Sequence, residues 1–131
     1  MKEKILIENG MIIDGTGSKE YFDTVLLENG LIASIGKEAE KFSGDNEIKK
    51  INALGKTVMP GLIDAHCHIT FDEPSSNDEL FFHRRQALSA IIAGHNAHKV
   101  LLAGVTSFCD PDSLFEIGID LRDVINSGYI E

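Results

Sequence analysis

The sequence is short of cysteine, short of positive charge and free of long apolar runs. Cys67 and Cys109 are its two cysteines. That is too few for a disulfide framework, and they lack zinc-knuckle spacing, so reduced thiols and a cytoplasmic location are expected. Twelve Lys and Arg stand against 21 Asp and Glu, a net charge of −9. With no basic cluster to offset that charge, nucleic acid and anionic membrane are poor partners. The longest apolar runs fall far short of a bilayer span. The N-terminal MKEKILIENG reaches Glu8 after a very short apolar stretch, unlike a signal peptide.

What remains is ordinary globular material. The chain has 131 residues, 43% hydrophobic and 25% charged, enough for one domain with a single core. Its first part reads as β-structure. KILIENGMIID and TVLLENGLIASIG each place Asn-Gly between apolar segments, at Asn9-Gly10 and Asn29-Gly30. Both turn residues can take positive φ, so each pair predicts a hairpin. EIKKINALGKTV adds one or two short strands after the polar GKEAEKFSGDNE. DGTGSKE carries Gly15 and Gly17 but no third glycine in place and no helical pattern after it, which makes it a turn rather than a nucleotide loop.

The texture changes near Lys56. TVMPGLIDAHCHI predicts a buried strand entered through Pro60-Gly61, and FDEPSSND a loop. Ser76 and Glu79 then form a capping box. The pattern is helical from about Asn77 to Ala103, with Leu88, Ile91, Ile92, His95 and Leu102 at compatible spacing and Gly104 as a stop. VTSFCD predicts a second short buried strand. Ser113 with Glu116 opens a helix that ends near Ser127-Gly128. Strand, helix, strand, helix argues for parallel strands with right-handed crossovers. The expected architecture is α/β: a β-rich segment over residues 1–56, then two βα units over 57–131.

Asp64, His66 and His68 alternate along the first of these strands, so they share a face and Cys67 points to the other. They sit at its carboxyl end, where parallel α/β folds bind ligands. Two imidazoles about 7 Å apart along the backbone can converge on one ion, and zinc or another borderline metal suits imidazole nitrogen. Asp64, one step deeper, is placed to hold a histidine tautomer or orient the site. The same H-x-H spacing is also compatible with two plain surface histidines. Elsewhere, His95 lies on the apolar stripe of the long helix and reads as packing against the sheet. His98 reads as exposed or interfacial, and His83 as solvated.

KTVMPGLIDAHCHI closely resembles the first barrel strand of the amidohydrolase superfamily, whose pattern is roughly PG-[LF]-[IV]-D-x-H-x-H. DGTG and ENGLIASIG are similar to that family's N-terminal β-sandwich segments. LLAGVTSFCD is similar to its second strand, usually AGVTT followed by an acidic residue. Imidazolonepropionase-like and prolidase-like members are the most similar subfamilies. The resemblance implies a β-sandwich followed by the first two βα units of a TIM-type (β/α)8 barrel. It implies one or two divalent metals, most often zinc, with His66 and His68 as the first two ligands. It further implies hydrolysis of amide, peptide or cyclic amide C–N bonds in small-molecule substrates by metal-activated water. Asp110 matches a frequent acidic position, as a substrate contact or a loop anchor. Cys109 departs from the arginine many relatives carry there.

The resemblance also implies what these 131 residues do not supply. The parent barrel needs roughly 250 residues. Its other ligands lie on later strands: a lysine, often carboxylated, on the fourth, histidines on the fifth and sixth, and on the eighth an aspartate that serves as general base. The catalytic base is therefore unassigned here, and the chain alone is expected to be inactive. Open edges on a two-stranded sheet predict self-association. If Asp110 faces inward, Cys109 faces outward with Cys67, and the two thiols read as small buried hydrophobes under the helices. The alternative is a non-catalytic oligomeric binding or scaffold module that keeps an enzyme-like strand.

Overall fold

Residues 3–72 and 74–130 are described by the structure, a computed structural model. The chain divides into two units, Met1–Pro60 and Gly61–Glu131. The first is built around β1 (Lys4–Ile12). Antiparallel to it runs β2 (Tyr21–Glu28), which pairs in turn with antiparallel β3 (Leu31–Ile35). On the other side β1 pairs in parallel with β4 (Lys49–Asn52), and further along with β5 (Thr57–Val58). A short α1 (Lys37–Glu40) follows β3. Leu6, Leu26 and Ala39 form the buried centre of this unit, with Phe42 and Ile48 against it.

The two Asn-Gly pairs behave differently. Asn29 and Gly30 both take positive φ, 53° and 76°, and close the β2–β3 hairpin as expected. Asn9-Gly10 makes no hairpin. The register passes from Ile7↔Val25 to Gly10↔Asp23, so Glu8 and Asn9 stand opposite Thr24 alone, with Asn9 at φ 61°. This is a β-bulge, and β1 continues through it. Gly10 serves packing rather than turning: a Cβ there would lie 2.5 Å from Val58 Cγ2. The β1–β2 reversal falls on DGTGSKE instead. There Asp14 Oδ1 accepts the Thr16 N–H at 2.9 Å and its hydroxyl at 2.7 Å, and these bonds hold the Asp14 carboxyl below its usual range.

In the second unit β6 (Leu62–Asp64) lies parallel to β7 (Val105–Phe108). Gly61 is required at the entry because the Thr106 side chain fills the place a Cβ would take. Neither strand is buried as expected. Leu62 is 49% and Ile63 73% exposed, since a sheet of two strands has no further strands to cover them. The core lies instead between the helices and the segment after β6: Ile69, Ala93, Ala97, Ile117 and Leu121, with Cys67, Val100, Phe108, Ile125 and Ile130 against them.

The expected helix from Asn77 to Ala103 is interrupted. A π-helical turn, Glu79–His83, is followed by extended Arg84 and Arg85, and α2 runs Gln86–Leu102. Glu79 N–H donates to Ser76 Oγ at 3.0 Å, one half of the capping box. The Glu79 carboxylate does not complete the box, because Arg84 Nε and Nη2 bind it at 2.9 and 2.8 Å. That five-residue spacing matches the i→i+5 period of a π turn rather than an α turn. On α2 the buried residues are Ser89, Ala93, Asn96 and Ala97. The larger Leu88, Ile91 and Leu102 are exposed, and so is His95, which does not pack as expected. Gly104, at φ 90°, stops the helix.

The last helix, α3 (Ile117–Asn126), starts later than the Ser113 box predicts, because Ser113 Oγ accepts the N–H of Gly118. It ends as expected. Gly128 N–H donates to the Ile125 carbonyl and Tyr129 N–H to that of Val124, with Gly128 at φ 74°, the two bonds of a Schellman motif. No helix among the described residues is long and apolar enough to cross a membrane.

Candidate metal centre

The histidine pair forms just beyond β6, by a route that strand alternation does not predict. The strand stops at Asp64, yet the β6–β7 ladder resumes after it. Cys109 N–H donates to the Asp64 carbonyl and Cys67 N–H to that of Cys109, both at 2.9 Å. A regular parallel ladder would take its next donor from residue 66. Here residue 67 supplies it, so one extra residue is looped out between Asp64 and Cys67. The loop is shaped by Asp64, whose Oδ1 accepts the His66 backbone N–H at 3.1 Å. Asp64 thus orients the backbone of His66 and not an imidazole.

This local bulge turns the two rings toward each other. His66 Nε2 and His68 Nε2 are 3.2 Å apart, with ring centroids at 5.0 Å and planes at 78°. Two imidazoles on a tetrahedral zinc, with Zn–N of about 2.0–2.1 Å, hold their nitrogens about 3.3–3.4 Å apart. The spacing here is close to that, so the donor pair fits a single ion. His66 is exposed and His68 half-buried. A cleft of about 300 Å³ takes in His68, Phe71, Asn96 and Lys99. A larger one, about 800 Å³, runs along the β7–α3 turn past Asp110, Asp112 and Arg122 and is lined by neither histidine. Of the two, the smaller is the one that His68 lines. Among the described residues no group of three or more His, Cys, Asp or Glu is arranged to hold an ion.

The supports of His68 are specific. Its Nδ1 lies 3.4 Å from the Asp112 carbonyl, and its face stacks on Phe71 at 4.7 Å and 11°. Phe71 meets Phe81 of the π turn edge-on. Asn96 on α2 donates to the carbonyls of Ile69 at 2.9 Å and Phe71 at 2.8 Å. Thr70 Oγ1 accepts the Leu114 N–H at 3.1 Å. Sequence patterns missed Thr70, Phe71 and Asn96. The one available signal was a polar Asn inside a helical run, at a position where apolar residues are expected.

The other expected residues fall away from the pair. Asp110 Oδ1 accepts the Asp112 N–H at 3.3 Å, while its Oδ2 is buried without a hydrogen-bond partner. His83 is exposed and pairs with Asp78 at 3.0 Å. His95 and His98 are exposed on α2. Cys67 points into the core as expected, and burial, with the Asp64 and Asp110 carboxylates nearby, raises its thiol pKa. Cys109, the residue after β7, is exposed rather than buried.

No protein-family model matches the chain. It is 42% identical over 65 residues to a dihydroorotase of Acetivibrio thermocellus, a match covering 50% of this chain and 14% of that one. It is 44% identical over 71 residues to an enamidase of Eubacterium barkeri, covering 51% and 18%. Its fold superimposes on the crystal structure of a Xaa-Pro dipeptidase with a TM-score of 0.83 at 27% identity, over 98% of this chain and 31% of the dipeptidase. The chain thus spans less than a third of the length of each. The mixed α/β fold is that of these hydrolases. The curated relatives and structural neighbours that it resembles are amidohydrolase-superfamily proteins.

Proposed function

We propose that His66 and His68 are two protein ligands of a divalent metal, zinc by their donor chemistry, in a hydrolase of amide, peptide or cyclic amide C–N bonds. The observation that carries this is the 3.2 Å approach of the two Nε2 atoms. A metal held there supplies an activated water and polarises a scissile carbonyl. The chain's own residues build the seat. Asp64 fixes the backbone of His66, the Asp112 carbonyl and Phe71 hold the ring of His68, and Asp110 anchors the turn that carries Asp112. In this reading the first unit corresponds to strands of the superfamily's β-sandwich. The second corresponds to the first two βα units of its (β/α)8 barrel, and the setting is the cytoplasm. A catalytic zinc takes three protein ligands and a water. The described residues furnish two in this reading, so turnover calls for at least one further donor.

Equilibrium dialysis against zinc, with a hydrolysis screen over N-acyl amino acids, dipeptides and cyclic amides, tests this. The expected result is one weakly bound zinc that is lost in His66→Ala, without turnover. Equal zinc uptake by the wild type and His66→Ala would overturn the ligand assignment. A second reading, a non-catalytic module that self-associates, is favoured by the exposed Leu62 and Ile63 on an open sheet. It predicts a sedimentation coefficient that rises with protein concentration and a zinc content near zero.

A further inference from the structure

We propose that Thr70 is a positioning residue for His68, acting through the turn that carries the Asp112 carbonyl. The inference rests on the reading of His68 as a metal ligand. A carbonyl can only accept, so a bond between Asp112 O and His68 Nδ1 requires the proton on Nδ1. The lone pair is then on Nε2, the atom facing His66. A ligating imidazole needs this arrangement, and a partner on the far nitrogen fixes it.

The turn over residues 110–114 delivers that carbonyl, and Thr70 holds the turn. Thr70 is wholly buried, and its hydroxyl oxygen accepts the N–H of Leu114, two residues beyond Asp112. Thr70 is held in its own place. Asn96, buried on α2, donates one hydrogen to the carbonyl before it and one to the carbonyl after it. The same clamp sets Phe71 under the His68 ring. One buried polar network, running from α2 through residues 69–71 to the β7–α3 turn, therefore sets both the plane and the tautomer of one imidazole. The pair has a further consequence in the metal-free chain. With Nε2 of His68 an acceptor, the hydrogen across the 3.2 Å gap belongs to Nε2 of His66. His66 must shift that proton to Nδ1 when an ion arrives, whereas His68 is already in its ligating form.

Long-range ¹H–¹⁵N correlation of the imidazoles in the full metal-free chain tests this, at about pH 8, where histidine is ordinarily neutral. The wild type is expected to show Nδ1–H at His68 and Nε2–H at His66. Thr70→Val keeps the shape and removes the acceptor, so His68 becomes a mixture of tautomers, while Thr70→Ser restores the wild-type pattern. Zinc affinity falls about 10–100-fold in Thr70→Val and is restored in Thr70→Ser. A wild-type His68 in the Nε2–H form overturns the proposal whether or not any variant folds. So does a folded Thr70→Val with unchanged tautomer and zinc affinity. If the tautomers follow the proposal but no form of the protein binds zinc, the metal assignment fails and the positioning network stands.

Discussion

Cys67 and Cys109 lie on one ladder, joined by a backbone hydrogen bond at 2.9 Å, yet their thiols meet different surroundings. Cys67 packs against the helix core and its thiol pKa is raised by burial, while Cys109 is exposed. The thiolate is the reacting form. Iodoacetamide at about pH 8 should therefore modify Cys109 first and Cys67 slowly, as read by peptide mass mapping. Equal rates would contradict the burial of Cys67. The Glu79–Arg84 pair makes a pH prediction. Its guanidinium hydrogen bonds hold the Glu79 carboxyl below its usual range. A carboxyl with a depressed folded pKa contributes stability above its unfolded value and loses it as pH falls through the folded one. Amide protection over residues 79–84 should therefore decline below about pH 4, and Arg84→Met should remove that decline. The carboxylate is partly solvated, with its side chain 31% exposed, so the effect is confined to this turn. At this scale the sequence made His66 and His68 legible as a pair through the segment PGLIDAHCHI around them, since the H-x-H spacing by itself also suits two surface histidines. Alternation gave the wrong reason for their convergence. An extra residue looped out beside Asp64, rather than a straight strand, brings the rings together, and no pattern of apolar residues encodes it.

Among the elements, α2 depends on small residues. Ser89, Ala93, Asn96 and Ala97 face the core, so the helix backbone comes close to Ile69, Ile117 and Leu121. Ala93 is wholly buried, and Ala93→Leu should overpack the site and destabilise the second unit by about 1–3 kcal/mol. The midpoint of urea unfolding checks this, and an unchanged midpoint would mean that the helix has room to move. Helix ends were readable wherever a glycine with positive φ marks them, at Gly104 and Gly128. The start of α2 was not, because the break after His83 comes from a side-chain pair five residues apart and not from glycine or proline. The two Asn-Gly pairs carry the same lesson. Either can turn left-handed, but Gly10 is pressed against Val58, and that contact is invisible in a local pattern. Strand burial was misjudged because apolar residues report what an element is suited to pack against, not whether a partner is present.

At the scale of the whole molecule, the β-rich first part, the order of strands and helices in the second and the superfamily were legible, because PGLIDAHCH and AGVTSFCD are specific segments. The interrupted helix, the exposed strands and the support of His68 come from contacts distant in sequence and were not. Whether the two imidazoles act together is tested by zinc titration of the ¹⁵N-labelled chain, followed ring by ring. Saturable shifts are expected at Nε2 of both His66 and His68 with the same zinc dependence, while His83, His95 and His98 change little. Shifts confined to the three surface histidines, or at only one of the pair, would contradict their acting together.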